Sequence, residues 1–171
     1  MPKRPILTIP HPILKTKASP VDSVTDAVRA QMDDMLETMA GIGIGLAANQ
    51  IGLLNRVLVM DVERDGFNTG PVCMANPEIV WSSEERSQMD EGCLSIPGQY
   101  ALVDRPARVK VRYLDYHGKA AELDAHGLVS HCVQHEIDHL DGILCIDYLS
   151  TLKRNMIIRK VEKMRKDQEI L

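Results

Sequence analysis

Leu128-Val129-Ser130-His131-Cys132-Val133-Gln134-His135-Glu136-Ile137-Asp138-His139-Leu140 is the stretch on which the reading of this chain turns. It reads as a helix, with Gly142 just past its end, and it carries the pattern H-E-x-x-H from His135 to His139. On a helix, residues four apart share a face, so His135 and His139 can both reach one metal ion. Glu136 can stand beside that ion without binding it, as a base for an activated water, which is the equipment for hydrolysis. An ordinary polar helix face is one competing reading. A closed structural metal module is another, but such modules take four protein ligands, and the sequence has no spaced cysteine pair to complete one.

The 171 residues suit one compact domain, 1–171, and a 44% apolar content argues against disorder. A net charge of −4 gives no general reason to expect DNA or an anionic membrane as a partner. The charge is uneven. Residues 151–171 hold seven basic and three acidic side chains, a local balance of +4, which leaves −8 on the preceding 150 residues. No segment approaches transmembrane length. The first residues are interrupted by Pro2, Pro5, Pro10 and Pro12 and contain no apolar run of signal-peptide length. The four cysteines, Cys73, Cys93, Cys132 and Cys145, form no C-x-x-C pair. Free thiols or metal ligands are therefore expected rather than disulfides, and the expected location is cytoplasmic.

Residues 1–23 read as an irregular, proline-rich arm. A first helix is expected from about Thr25 to Ala40, with Val28, Met32, Met35, Leu36 and Met39 at core spacing and Gly41 as its stop. Gly41 to Gly52 alternates glycine with apolar residues, which suits a loop or short strand that another backbone approaches closely. An added peptide could pair with this edge. Strands are expected at Arg56–Val62, Glu78–Trp81 and Ala107–Asp115, with a hairpin turn at Asp115–Gly118 leading into a strand over Lys119–Ala125. A final amphipathic helix runs from about Thr151 to Lys166, with Met156, Ile157, Val161 and Met164 on one side. The expected fold class is α+β: antiparallel sheets packed around a central metal-binding helix, with a basic C-terminal helix.

A catalytic site of this kind takes three protein ligands and keeps one position open. His131 cannot join His139, because eight residues of helix rise by about 12 Å while ligand bonds are about 2 Å. It is expected at the pocket wall or the surface. Glu162 or Glu169 on the last helix would complete a thermolysin-like arrangement, although both sit among lysines and arginines. Cys145 stands where a metzincin-like extension of the motif would place a third histidine, between Leu144 and Ile146. Cys93 follows Gly92, which permits close backbone approach, and Pro97 and Gly98 turn the chain after it. These features rank Cys93 only slightly above Cys145.

Three segments together resemble the peptide deformylase family of bacterial type. Its pattern is G-x-G-L-A-A-x-Q, then E-G-C-L-S, then Q-H-E-x-D-H. Here these read Gly43-Ile44-Gly45-Leu46-Ala47-Ala48-Asn49-Gln50, Glu91-Gly92-Cys93-Leu94-Ser95 and Gln134-His135-Glu136-Ile137-Asp138-His139. The resemblance implies that Cys93, His135 and His139 hold one divalent metal ion. Fe²⁺ is the family's typical native ion, and Zn²⁺, Ni²⁺ or Co²⁺ can also occupy the site. It implies that Glu136 is the catalytic acid and base, and that Gln50 and the Leu94 N–H hold the formyl oxygen. The implied reaction removes the formyl group from the N-terminal formyl-methionine of newly made proteins. The basic helix over 151–171 resembles the one by which bacterial members bind the ribosome.

Such a substrate needs an apolar slot for its methionine side chain, and Ile44, Met89, Leu128 and Cys132 are candidates, with His131 near the rim. Its backbone could pair with Gly43–Gly45 and with Gly92 as an added strand, and Tyr100 could touch it. Glu91 and Arg105 are expected to form an ion pair that supports the Cys93 loop. The runner-up is a zinc peptidase whose third ligand is Cys145 or Glu162.

Overall fold

The computed structural model describes residues 3–170. Met1, Pro2 and Leu171 lie outside the described residues, as do the side chains of Glu169, one of the acids counted in the basic tail, and Ile170.

The proline-rich arm contains a 3-10 turn at Pro12–Lys15. It is tied to the body by its backbone: Leu7 N–H donates to the Gln50 carbonyl at 2.7 Å and Ile9 N–H to the Ser95 carbonyl at 3.0 Å. Helix α1 (Asp26–Met39) begins after Thr25, whose hydroxyl accepts the Val28 N–H at 3.2 Å. That cap satisfies one of the orphan donors every helix start leaves. Met32, Met35 and Met39 are buried, as their spacing predicts. The Gly41–Gly52 segment then forms a short strand, β1 (Gly45–Ala47), and a 3-10 turn at Ala48–Ile51.

Six strands follow: β2 (Val57–Arg64), β3 (Phe67–Ser82), β4 (Arg86–Gly92), β5 (Tyr100–Pro106), β6 (Arg108–Leu114) and β7 (Ala120–His126). They make a five-stranded sheet in the order β1-β2-β3-β6-β7 and a separate β4-β5 pair. All of these pairings are antiparallel. Helix α2 (Gly127–Leu140) and helix α3 (Thr151–Ile170) complete the chain, with a 3-10 turn at Cys145–Tyr148 between them. The class is α+β, with antiparallel sheets around α2, as expected.

The sequence reading departs from the structure in four places. Strand β3 is much longer than Glu78–Trp81, because it bends: its first half pairs with β2 and its second half with β6. Asn76, at φ +50°, and register shifts on either side of Glu78–Ile79 take up the bend, so Gly70, Pro71, Asn76 and Pro77 lie inside a strand rather than ending one. Strands β4 and β5 were not expected at all. Helix α3 runs beyond Lys166 to Ile170, and its packed seam is Ile157, Ile158 and Val161. Met156 and Met164, expected on that side, are instead 47% and 37% exposed, because the seam is narrow and both lie off it.

Two hydrophobic clusters form. One lies between α1, α2 and the five-stranded sheet, with Met32, Met35, Leu58, Met60, Val111 and Leu140 among its members. The other gathers Ile9, Leu14, Ile96, Val103, Ile146 and Val161 from the arm, β5, the loop after β4 and α3. Strand β7 passes into α2 without a loop. Gly127 makes that junction at φ +55°, and a Cβ there would lie 2.5 Å from the Phe67 ring, so both the turn and the packing require glycine.

Candidate metal centre

The site lies where the two clusters meet. Helix α2 presents His135 and His139 from one side, and the loop after β4 brings Cys93 from the other. Ile96, 1% exposed, anchors that loop in the second cluster, and Ile96 N–H donates to the Cys93 carbonyl at 2.9 Å. One ligand atom from each of Cys93, His135 and His139 lies within 4.8 Å of the others. Cys93 Sγ is 3.3 Å from His139 Nε2. Among the described residues this is the one cluster of three or more potential metal-ligating side chains. Neither Cys145 nor Glu162 belongs to it. Cys145 is buried in the second cluster, where burial pushes its thiol up to about 12.

Glu91, on β4, organises the histidines. Its Oε1 accepts from His135 Nδ1 at 2.9 Å and its Oε2 from His131 Nδ1 at 2.8 Å. Arg105, on β5, donates to the same two oxygens, through Nε at 2.6 Å and its terminal nitrogen at 2.8 Å. The expected Glu91–Arg105 pair is thus present and buried, and four donors fill the carboxylate's acceptor sites. Burial alone would raise Glu91, but hydrogen bonds from Arg105, His131 and His135 hold it well below the usual carboxylate range. A proton fixed on Nδ1 of His135 leaves its Nε2 lone pair free for a ligand bond.

His131 lines the wall of the cleft, one of the two places expected for it, rather than the rim or the surface. It is 1% exposed, held by Glu91 and by Ser87 Oγ at 3.3 Å from its Nε2. A histidine that satisfies both ring nitrogens inside the protein belongs with the supports of the site.

Glu136 is 5% exposed, and its Oε1 has no protein partner among the described residues. Burial pushes its carboxyl up to about 7, with the His135 charge opposing and Glu91 adding to the rise. His135 is raised well above the imidazole range: burial opposes this, but Glu136, Cys93 and Glu91 outweigh it. Surroundings that favour a proton there favour any cation at that ring. His139 is lowered by burial, with the His135 and Arg105 charges adding to the shift, which keeps its ring neutral as a ligand requires. A thiol, two imidazoles and an orphaned carboxylate oxygen beside them fit a divalent ion with an open position.

Gln50 lies in the 3-10 turn after β1. Its Oε1 accepts the Ala47 N–H at 2.9 Å, which orients the amide, and its Nε2 donates to Ser95 Oγ at 3.0 Å and lies 3.7 Å from Cys93 Sγ. The Leu94 N–H takes no backbone partner among the described residues.

The cluster opens into a cleft of about 430 Å³. Gly43, Ile44 and Gly45 form one wall, Met89, Gly92 and Tyr100 the other, and Leu128, His131 and Cys132 the helix side. All nine residues expected to meet substrate therefore line one space, together with Gln50, Leu94, Cys93, His135 and Glu136. Of the three candidate ligands, only His139 is walled off from it, at 0% exposure. β1 is an edge strand of its sheet, and so is β4 of its pair, so each has one unpaired edge. Gly45 packs tightly: a Cβ there would lie 2.6 Å from Glu136 Oε2 and 2.9 Å from Cys132 Sγ.

Sequence reasoning did not find Arg64, Ser87, Ser95, Asp138 or Tyr148. Arg64 lines the cleft. Ser95 and Asp138 occupy fixed positions of the motifs, which was a signal available to find them. Ser87 and Tyr148 carried none.

A family model described as Polypeptide deformylase matches residues 3–155. A peptide deformylase of Phenylobacterium zucineum (strain HLK1) is 56% identical over 164 residues, which span 95% of this chain and 97% of that protein. One of Methylocella silvestris is 54% identical over 170 residues, 97% of this chain and 87% of that protein. Among solved structures, the peptide deformylase from Ehrlichia chaffeensis matches with a TM-score of 0.94 at 40% identity, covering 99% of both chains. A structure of a deformylase from that organism in complex with actinonin matches with a TM-score of 0.92 at 43% identity, covering 96% of this chain and 98% of that one. With such identity over nearly its whole length, this chain belongs to the polypeptide deformylase family of metal-dependent hydrolases.

Proposed function

We propose that the chain hydrolyses the formamide of N-formyl-methionyl nascent peptides, releasing formate and a free amine. The observation that carries this reading is the convergence of Cys93, His135 and His139 beside a buried, unpartnered Glu136 oxygen at the floor of a cleft. These three residues would hold one divalent ion, Fe²⁺ as the proposed native metal, with Zn²⁺, Ni²⁺ or Co²⁺ as alternatives. When bound, such an ion supplies the Lewis acidity that lowers the pKa of water and polarises a carbonyl.

The protein's own residues do the rest. Glu136 accepts the proton of the attacking water and returns it to the leaving nitrogen as the C–N bond breaks. Gln50 Nε2 and the Leu94 N–H donate to the oxyanion that develops on the formyl oxygen. Ser95 and Ala47 fix the Gln50 amide before substrate arrives. The unpaired edges of β1 and β4 take the peptide backbone between them as an added strand, which accepts any sequence beyond the first residue. Met89, Leu128 and Cys132 offer the apolar slot for the methionine side chain, and the tight packing of Gly45 against Glu136 and Cys132 would form a wall that excludes acyl groups larger than formyl.

The site would work in the cytoplasm. The basic face of α3 would carry the chain to the ribosome, where its substrates emerge. No helix of the described residues is long and apolar enough to cross a membrane.

Protein purified without oxygen is expected to release formate from formyl-Met-Ala and to leave acetyl-Met-Ala intact. Excluding oxygen matters because Fe²⁺ and the Cys93 thiolate are both oxidisable. Metal-loaded protein that releases no formate would overturn the reading.

A further inference from the structure

The supports of His135 do not stop at Arg105. The third Arg105 nitrogen donates to Asp138 Oδ2 at 2.8 Å, and the Tyr148 hydroxyl donates to that same oxygen at 2.7 Å. The Arg105 guanidinium also lies over the Tyr148 ring, 5.1 Å from its centroid. One connected path of hydrogen bonds therefore runs from Tyr148 through Asp138, Arg105 and Glu91 to His135 Nδ1. Its inner members are buried, with Arg105 and Glu91 side chains 4% and 6% exposed. Its outer end, Tyr148, is 49% exposed, in the turn that leads into α3.

Resting on the ligand set proposed above, we infer that Tyr148 and Asp138 are positioning residues for the His135 ligand. Arg105 is shared between two carboxylates, and how firmly it holds Glu91 depends on how Asp138 holds it. The Tyr148 hydroxyl fixes the Asp138 carboxylate and takes up part of its acceptor capacity. Glu91 in turn sets which His135 nitrogen carries the proton and how the ring faces the ion. Loss of the hydroxyl leaves packing and the cation–π contact in place but leaves Arg105 alone to hold the Asp138 carboxylate. The effect should appear as altered metal affinity and ligand field, with the fold unchanged.

The test uses the full chain loaded with Co²⁺, read by its visible spectrum and by chelator competition. Tyr148→Phe is expected to weaken Co²⁺ binding about tenfold and Asp138→Asn by up to about a hundredfold, the range seen for outer partners of metal-bound histidines. The Co²⁺ bands should shift in both, and the metal-free Tm of Tyr148→Phe should match that of the parent. Unchanged affinity and bands in Tyr148→Phe would overturn the inference. So would a loss of affinity accompanied by an equivalent loss of metal-free stability, which marks a merely structural role. If the parent protein itself shows no thiolate-to-cobalt band, or Cys93→Ala keeps that band, the ligand set is at fault instead.

Discussion

Gly45 and Gln50 show how closely single residues govern this site. A methyl group at residue 45 would press on Glu136 Oε2 from 2.6 Å, and the neighbouring Cys132 Sγ at 2.9 Å blocks escape. Gly45→Ala should therefore displace the carboxylate and lower kcat by about a hundredfold, the usual effect of misplacing a catalytic group by about 1 Å. Its metal content should stay intact, which metal analysis beside a formate assay will check. Gln50→Ala removes one of the two proposed oxyanion donors and should lower kcat by about 10²–10³ with a much smaller change in KM, measurable by steady-state kinetics. The motifs named these residues, but the sequence could not supply their contacts. His131 shows the limit: its spacing excluded it as a ligand, yet its burial against Glu91 and Ser87 depends on β4, which lies 40 residues away in the chain at Glu91.

Among the elements, α1, α2 and the β6–β7 hairpin were legible because their apolar periodicity survives in the sequence. β4 was not, and its chemistry explains why. Its inward side chains include Ser87 and Glu91, which are polar because they serve His131 and His135, so the strand shows no apolar alternation. β5 buries Ala101, Val103 and Arg105 but exposes Tyr100 and Leu102, which also erases the period. The function of this strand pair thus hides its structure. The Glu91–Arg105 pair joins β4 to β5, and Arg105 reaches Asp138 to join both to α2. Arg105→Leu leaves Glu91 buried without its main counter-charge, and should cost about 3–5 kcal/mol of stability, read by denaturant titration. It should also weaken metal binding; unchanged stability and metal affinity would contradict the role assigned to the pair.

Across the whole molecule, the site depends on two cores in different ways. Met35 lies in the cluster beneath α1 and the sheet, whereas Ile96 anchors the Cys93 loop in the other. Met35→Ala and Ile96→Ala should each cost about 2–5 kcal/mol, since each empties a fully buried site. Only Ile96→Ala should also lower metal affinity under native conditions, because it loosens the loop that brings Cys93 to α2. The two-cluster arrangement was not readable from the sequence, since Ile96 sits in a loop with no periodicity around it. The central claim is narrower: Cys93, His135 and His139 hold the ion, and Glu136 moves the proton. Formate release from formyl-Met-Ala by Glu136→Gln, with metal content measured in parallel, tests it most directly. The account predicts full metal content with turnover reduced by at least about 10²-fold, the contribution of a positioned general base. A Glu136→Gln protein that keeps both its metal and its turnover would contradict it.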